Sequence, residues 1–161
     1  MSTAKDLKWL RMAIFGGREF STCTNRQFMA IILDADGIEV GTGWNGAPSG
    51  MVHCTDGGCP RSILHQNVTL GSTGRGTDYE NCVAVHAESN ALLHSDWSRR
   101  QNGTIYVGGP PCWDCAKLIA NSGLKRVVCL ADDTAPNWER TKRFLDDLGI
   151  EVVVVSTVGE P

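Results

Sequence analysis

From residue 83 onward, short apolar runs alternate with stretches long enough to be helices. Residues 83–95 read as a helix, Thr104–Val107 as a strand, 112–122 as a helix ended by Gly123, and Arg126–Leu130 as a strand. A further helix starts near Pro136, a residue suited to a first helical position, and ends at Leu148 with Gly149 behind it. Glu151–Val155 closes the pattern as a buried strand. Parallel neighbours need a crossover of about a dozen residues, and the helix between the last two strands supplies one. Those two strands should therefore run parallel through a right-handed connection.

Upstream, Leu7, Leu10 and Ile14 lie at i, i+3 and i+7 on one helical face, and Gly16-Gly17 should stop that helix. Residues 28–33 form an apolar run, Asp34-Ala35-Asp36-Gly37 is a turn signal, and 38–43 read as a second strand, so an antiparallel hairpin is expected. The order after the first helix is β-β-α-β-α-β-α-β. That order predicts an α/β fold, a three-layer α/β/α sandwich around a five-stranded mixed sheet. Between about 44 and 80 the periodicity vanishes into glycine, proline and serine, a loop too long to be left without a tie or a task.

Composition narrows the class of protein. A chain of 161 residues is expected to form one domain, 1–161, and 42% hydrophobic with 20% charged residues excludes a disordered or fibrous chain. The longest wholly aliphatic run, 152–155, is far too short to span a bilayer, and the first twenty residues contain no secretory signal. A cytoplasmic location is the expectation. A net charge of −3 argues against non-specific binding of a long polyanion and leaves room for a small basic pocket. Seven cysteines, an odd number, point to reduced thiols or metal ligands more than to a disulfide framework.

Two segments carry chemistry. They are Val85-His86-Ala87-Glu88-Ser89-Asn90-Ala91 and Gly109-Pro110-Pro111-Cys112-Trp113-Asp114-Cys115-Ala116. His-x-Glu followed by Pro-Cys-x-x-Cys is the signature of zinc deaminases acting on nucleobases. Cysteines three apart at a helix start project toward one point, where the helix dipole favours their thiolates. With His86 they make three ligands and an open fourth position, the pattern of a catalytic zinc, which supplies a water-derived nucleophile at neutral pH. Glu88 is then the proton carrier and not a ligand. Taken alone, a Cys-x-x-Cys is also compatible with a structural or redox pair, and a lone His with an ordinary polar residue.

The similarity extends beyond the motif. The runs Gly43-Trp44-Asn45-Gly46-Ala47-Pro48-Ser49-Gly50, His86-Ala87-Glu88-Ser89-Asn90-Ala91 and Pro111-Cys112-Trp113-Asp114-Cys115-Ala116-Lys117-Leu118-Ile119 resemble the deoxycytidylate (dCMP) deaminase family, within the cytidine deaminase superfamily. The resemblance implies a cytidine-deaminase-like fold, hydrolysis of dCMP to dUMP and ammonia in the supply of thymidylate, and an oligomer that is often hexameric and regulated by dCTP and dTTP. It implies Asn45 in the nucleotide pocket, with Trp44, Ala87 and Trp113 as further substrate neighbours; Asn45 also suits a plain turn. Arg26 is the candidate phosphate contact, because a guanidinium fork matches phosphate oxygens, the alternative being an exposed surface arginine. The chain departs from the family at Trp44, usually Tyr, at Phe28-Met29-Ala30, usually Val-Gly-Ala, and at Asn25, an Arg in some members. His94 and Trp97 replace the Phe and Arg tied to effector control in some phage members, which weighs against dCTP/dTTP regulation.

Five cysteines remain. Cys129 sits in an expected strand and reads as core. Cys23, Cys54, Cys59 and Cys82 flank or lie in the irregular region. They could hold a second, structural zinc that pins the loop, with His53 as a substitute ligand, or be four unrelated thiols. Some bacterial and phage members that the chain resembles carry such an additional zinc. Arg61, His65 and Arg75 read as solvated loop residues, the alternative being that they close over a phosphate. Two other functions share part of the pattern. An editing deaminase on tRNA or single-stranded nucleic acid would want a basic, aromatic groove, and a non-catalytic zinc module would have no use for Glu88. The exact nucleotide, dCMP against dCTP or a base-modified dCMP, stays open at this point.

Overall fold

The computed structural model describes residues 3–61 and 82–159. Helix α1 (Ala4–Phe20) precedes strands β1 (Met29–Leu33) and β2 (Glu39–Trp44). After a single 3-10 turn at Cys54–Asp56 come α2 (Ala87–Leu93), β3 (Thr104–Val107), α3 (Trp113–Ala120), β4 (Arg126–Leu130), α4 (Trp138–Asp147) and β5 (Glu151–Val155). The strands form one sheet in the order β2-β1-β3-β4-β5. β1 is antiparallel to β2 and β3, whereas β3, β4 and β5 run parallel.

Strand alternation sorts the core into two layers. Ala30, Ile32, Ile105, Val107 and Val127 face α2, α3 and α4, meeting Ala87, Ala91, Ala116, Ile119 and Leu145. Ile31, Leu33, Tyr106, Val128, Val153 and Val155 face the opposite way, toward Leu10 and Ala13 of α1. The sheet is thus sandwiched as its element order predicts, with α1 on one face and α2, α3 and α4 on the other. No helix among the described residues is long and apolar enough to cross a membrane.

Three local expectations are corrected. Gly16-Gly17 do not end α1, which continues to Phe20. Both are buried where the helix crosses β1: a Cβ on Gly16 would strike the Met29 side chain, and one on Gly17 the backbone of residues 27–29. Small size, not helix termination, explains these glycines. The helix expected over 83–95 begins only at Ala87, because Val85 is held extended by two bonds to Gly46, N–H to O at 2.8 Å and O from N–H at 3.2 Å. Lastly, the start of the irregular stretch has structure. Trp44 completes β2, and Thr55 N–H bonds the Thr22 carbonyl at 3.2 Å to anchor the 3-10 turn. His65 and Arg75 lie outside the described residues, as does the rest of 62–81.

Helix α2 lies directly on β2 at two side-chain-free positions, Gly41 and Gly43. A Cβ on Gly43 would collide with the backbone of Ala87, Asn90 and Ala91. This close approach brings the start of α2 to the end of β2, where the site is built.

Candidate active site

Three helix-start residues converge. His86 is the N-cap of α2 and Cys112 the N-cap of α3, and Cys115 lies one turn into α3. His86 Nδ1 is 3.5 Å from Cys112 Sγ and 3.4 Å from Cys115 Sγ, and all three candidate ligand atoms lie within 4.8 Å of one another. Zn–S bonds of about 2.3 Å and a Zn–N bond of about 2.0 Å at tetrahedral angles put sulfur and nitrogen about 3.5 Å apart. The spacing and the soft donor set therefore fit a shared zinc.

The electrostatics of the cluster suit a cation. Cys112 Sγ accepts the Cys115 N–H at 3.5 Å. Hydrogen bonding from the Cys115 thiol and from His86 holds the Cys112 thiol well below its ordinary pKa, against burial. Cys115, the donor of that pair and buried, is pushed the other way. His86 is raised above its usual value by its bond to Cys112. Ligation needs deprotonated donors, so a bound metal would displace the protons that Cys115 and His86 favour while finding Cys112 already inclined to the thiolate.

Glu88 stands in the first turn of α2, 4% exposed. Burial pushes its carboxyl above the ordinary range, opposed by its own backbone N–H and by His86. A carboxyl moved toward neutrality is suited to both taking and giving a proton.

Asn45 fixes this geometry. Its Oδ1 accepts the Ala87 N–H at 2.6 Å, satisfying a free donor at the start of α2 between His86 and Glu88. The neighbouring Trp44 carbonyl accepts Asn90 Nδ2 at 2.8 Å, a second tie between β2 and α2. Asn45 also lines the adjoining cavity, and among the described residues its amide N–H groups have no hydrogen-bond acceptor.

That cavity, of about 380 Å3, has His86, Glu88 and Cys112 in its wall together with Arg26, Phe28, Asn45, Cys82, Asp132 and Trp138. Its size suits a small ligand. Of the residues proposed from sequence as substrate neighbours, Arg26 and Asn45 line it. Trp44 packs on Phe20 with ring centres 5.6 Å apart, and Trp113 packs on Phe144 at 5.0 Å beneath the Arg140 guanidinium. Ala87 is fully buried and meets the site through its backbone.

Phe28, Asp132 and Trp138 escaped the sequence reading. A signal for Asp132 existed: ligand sites in open α/β sheets gather beyond the carboxyl ends of parallel strands. Residues 108–112 leave the end of β3, and Asp132 follows the end of β4.

Of the four cysteines expected to hold a second zinc, the other three are neighbours of Cys54, but no three of the four sulfurs lie within 4.8 Å of one another, as the ligand atoms of His86, Cys112 and Cys115 do. Cys23, Cys54 and Cys59 are buried, and the Cys54 thiol is pushed up to about 11 by burial, by a bond to the Cys59 thiol, and by nearby Cys59, Cys23 and Cys82. Cys82 lines the active cavity as well. His53, next in the chain, is exposed. Cys129 is fully buried in β4, its thiol pushed up to about 12 by that burial.

Residues 3–131 match the family profile described as the cytidine and deoxycytidylate deaminase zinc-binding region. The chain is 39% identical over 108 residues to a deoxycytidylate deaminase of Mycobacterium phage D29, an alignment covering 67% of this chain and 80% of the relative. It is 30% identical to a deoxycytidylate deaminase of Enterobacteria phage T4, covering 89% and 86%. Among solved structures, the dCMP deaminase of cyanophage S-TIM5 in complex with dCMP and dUMP shares the fold. The TM-score is 0.67 at 24% identity, covering 96% of this chain and 99% of that one.

Proposed function

Given that the chain belongs to the cytidine and deoxycytidylate deaminase zinc-binding family, we propose that it hydrolyses dCMP, with water, to dUMP and ammonia. The observation that carries this reading is one cavity whose wall joins His86 and Cys112 of the three-ligand zinc set to a buried Glu88, Asn45 and Arg26. A zinc ion held by His86, Cys112 and Cys115 would supply Lewis acidity and a water acidic enough to serve as nucleophile near neutral pH. The Glu88 carboxylate accepts the proton that the attacking water gives up. It delivers that proton to the pyrimidine ring nitrogen, and carries the next one to the departing amine, so that ammonia leaves and the carbonyl of dUMP remains. The Asn45 amide donates to a sugar oxygen, and Arg26 meets the phosphate. Burial of Glu88 raises its basicity for this work.

A second zinc held by Cys23, Cys54, Cys59 and Cys82 would draw those sulfurs closer and tie residues 54–59 to the wall of the active cavity; the nearness of the other three thiols to Cys54 supports it. The strands drawn from residues 29 to 155 support one deaminase domain over the whole chain. Leu93 and Trp97, 75% and 61% exposed, support burial of that corner in a homo-oligomer.

The test is a substrate panel. The purified protein is given dCMP, dCTP, deoxycytidine, cytidine and an RNA hairpin, and ammonia release is followed. Turnover of dCMP well above the others is the expected result. Turnover of the hairpin alone would establish an editing deaminase instead, and preference for dCTP would move the substrate to the triphosphate. Metal analysis should give about two zinc ions per chain, the count reached by one catalytic and one four-cysteine site.

A further inference from the structure

Asp132 is an acid in the wall of a cavity that we read as holding a nucleotide phosphate, beside the only Lys or Arg among the described lining residues, Arg26. Its carboxylate is divided between two tasks. Oδ1 accepts the Thr134 N–H at 2.9 Å and the Thr134 hydroxyl at 2.6 Å, inside a turn closed by the Ala135 N–H on the Asp132 carbonyl at 3.0 Å. That leaves Oδ2, which lies 3.6 Å from one terminal nitrogen of Arg26. From the other direction, the Arg26 guanidinium sits over the Phe28 ring at 5.8 Å. The guanidinium is therefore bracketed by a ring and an anchored carboxylate, with most of its five N–H donors uncommitted among the described residues.

We infer that Asp132 is a positioning residue for the substrate phosphate: it holds Arg26 in the wall of the cavity so that the remaining N–H donors meet the phosphate oxygens. An arginine 41% exposed on its side chain would otherwise sample many rotamers and lose that freedom on binding. One held in advance loses less. The 3.6 Å separation is long for a hydrogen bond, so the carboxylate restrains Arg26 without occupying its fork. Asp132 acts through Arg26 and touches no reacting atom. Its effect should therefore appear in substrate binding, and only with substrates that carry a phosphate. This inference rests on the dCMP reading and on Arg26 as the phosphate contact.

The experiment is a double-mutant cycle on the zinc-loaded enzyme, with Asp132→Asn, Arg26→Ala and both together, assayed on dCMP and deoxycytidine. Asparagine keeps Oδ1 for Thr134 and so preserves the turn, while removing the charge that faces Arg26. Asp132→Asn should raise KM for dCMP by about two- to fivefold, the range of a partly exposed ion pair. It should move kcat by less than about twofold and leave deoxycytidine kinetics nearly alone. In the Arg26→Ala background it should add nothing. Should the asparagine variant misfold, Asp132→Glu keeps the charge on a longer stem and should give a smaller rise in KM. The inference is overturned by an equal loss with and without Arg26, by an equal loss on deoxycytidine, or by a KM that stays level or falls. Turnover of deoxycytidine but not dCMP by the unaltered enzyme would remove the dCMP reading and this inference with it.

Discussion

Asp6 is nearly inaccessible, 2% exposed, yet it meets five donors. It accepts Thr3 N–H at 2.7 Å and the Thr3 hydroxyl at 2.9 Å in the capping box of α1, Tyr106 Oη of β3 at 2.9 Å, and two nitrogens of Arg126 of β4 at 2.7 and 3.0 Å. Asp6→Asn removes the charge that Arg126 was folded against while keeping much of the shape. Breaking a buried pair from one side costs about 3–5 kcal/mol. Arg126 is 20% exposed on its side chain and keeps Glu151 at 2.9 Å, which offsets part of the loss. We therefore expect about 2–3 kcal/mol, a large share of the stability of an ordinary domain, and a Tm lower by about 5–10 °C. Burial alone would raise the Asp6 pKa, but the bonds from Arg126, Thr3 and Tyr106 outweigh it and hold the carboxyl well below the usual range. A group depressed in this way contributes stability that is complete above its unfolded pKa and lost as pH falls toward its folded value. The gap between the native chain and Asp6→Asn should therefore shrink on acidification, by about 0.7 kcal/mol at pH 3.5 for an unfolded pKa near 3.9. Urea unfolding followed by tryptophan fluorescence at both pH values measures the gap. A loss under about 0.5 kcal/mol at pH 7, or a gap that widens in acid, would refute the reasoning.

Glu88→Gln should retain zinc by metal analysis and lose turnover by about 100-fold or more, the contribution of a positioned proton carrier; substantial remaining activity would remove Glu88 from that role. Cys54→Ser should lower the zinc content by about one ion per chain and reduce the Tm, with the catalytic zinc retained. An unchanged metal count would leave Cys23, Cys54, Cys59 and Cys82 as four unrelated thiols. Gly43→Ala should destabilise the protein by about 2 kcal/mol or more and impair activity together with folding, because the added methyl meets the backbone of α2. Calorimetry checks the first effect and zinc retention the second.

The legibility of this chain divides by the range of the interactions involved. Each strand was readable because alternation and β-branched runs such as Val152-Val153-Val154-Val155 are local patterns, and the crossover length already required parallel pairing at the carboxyl end of the sheet. The convergence of His86, Cys112 and Cys115, with Glu88 buried in the turn after His86, was readable for a related reason: side chains two or three residues apart at a helix start are aimed by the helix itself. Gly16-Gly17 misled because a helix stop and a close packing contact call for the same residue, and only the position of Met29 across the interface separates the two. Asp132, Phe28 and Trp138 share no sequence pattern with Arg26 or Asn45, since the cavity that unites them forms where separate chain segments meet beyond the sheet. The chemistry of the site was therefore carried by short-range spacing, while the surroundings that hold a substrate depend on contacts spanning about a hundred residues, which come together only when the sheet has closed.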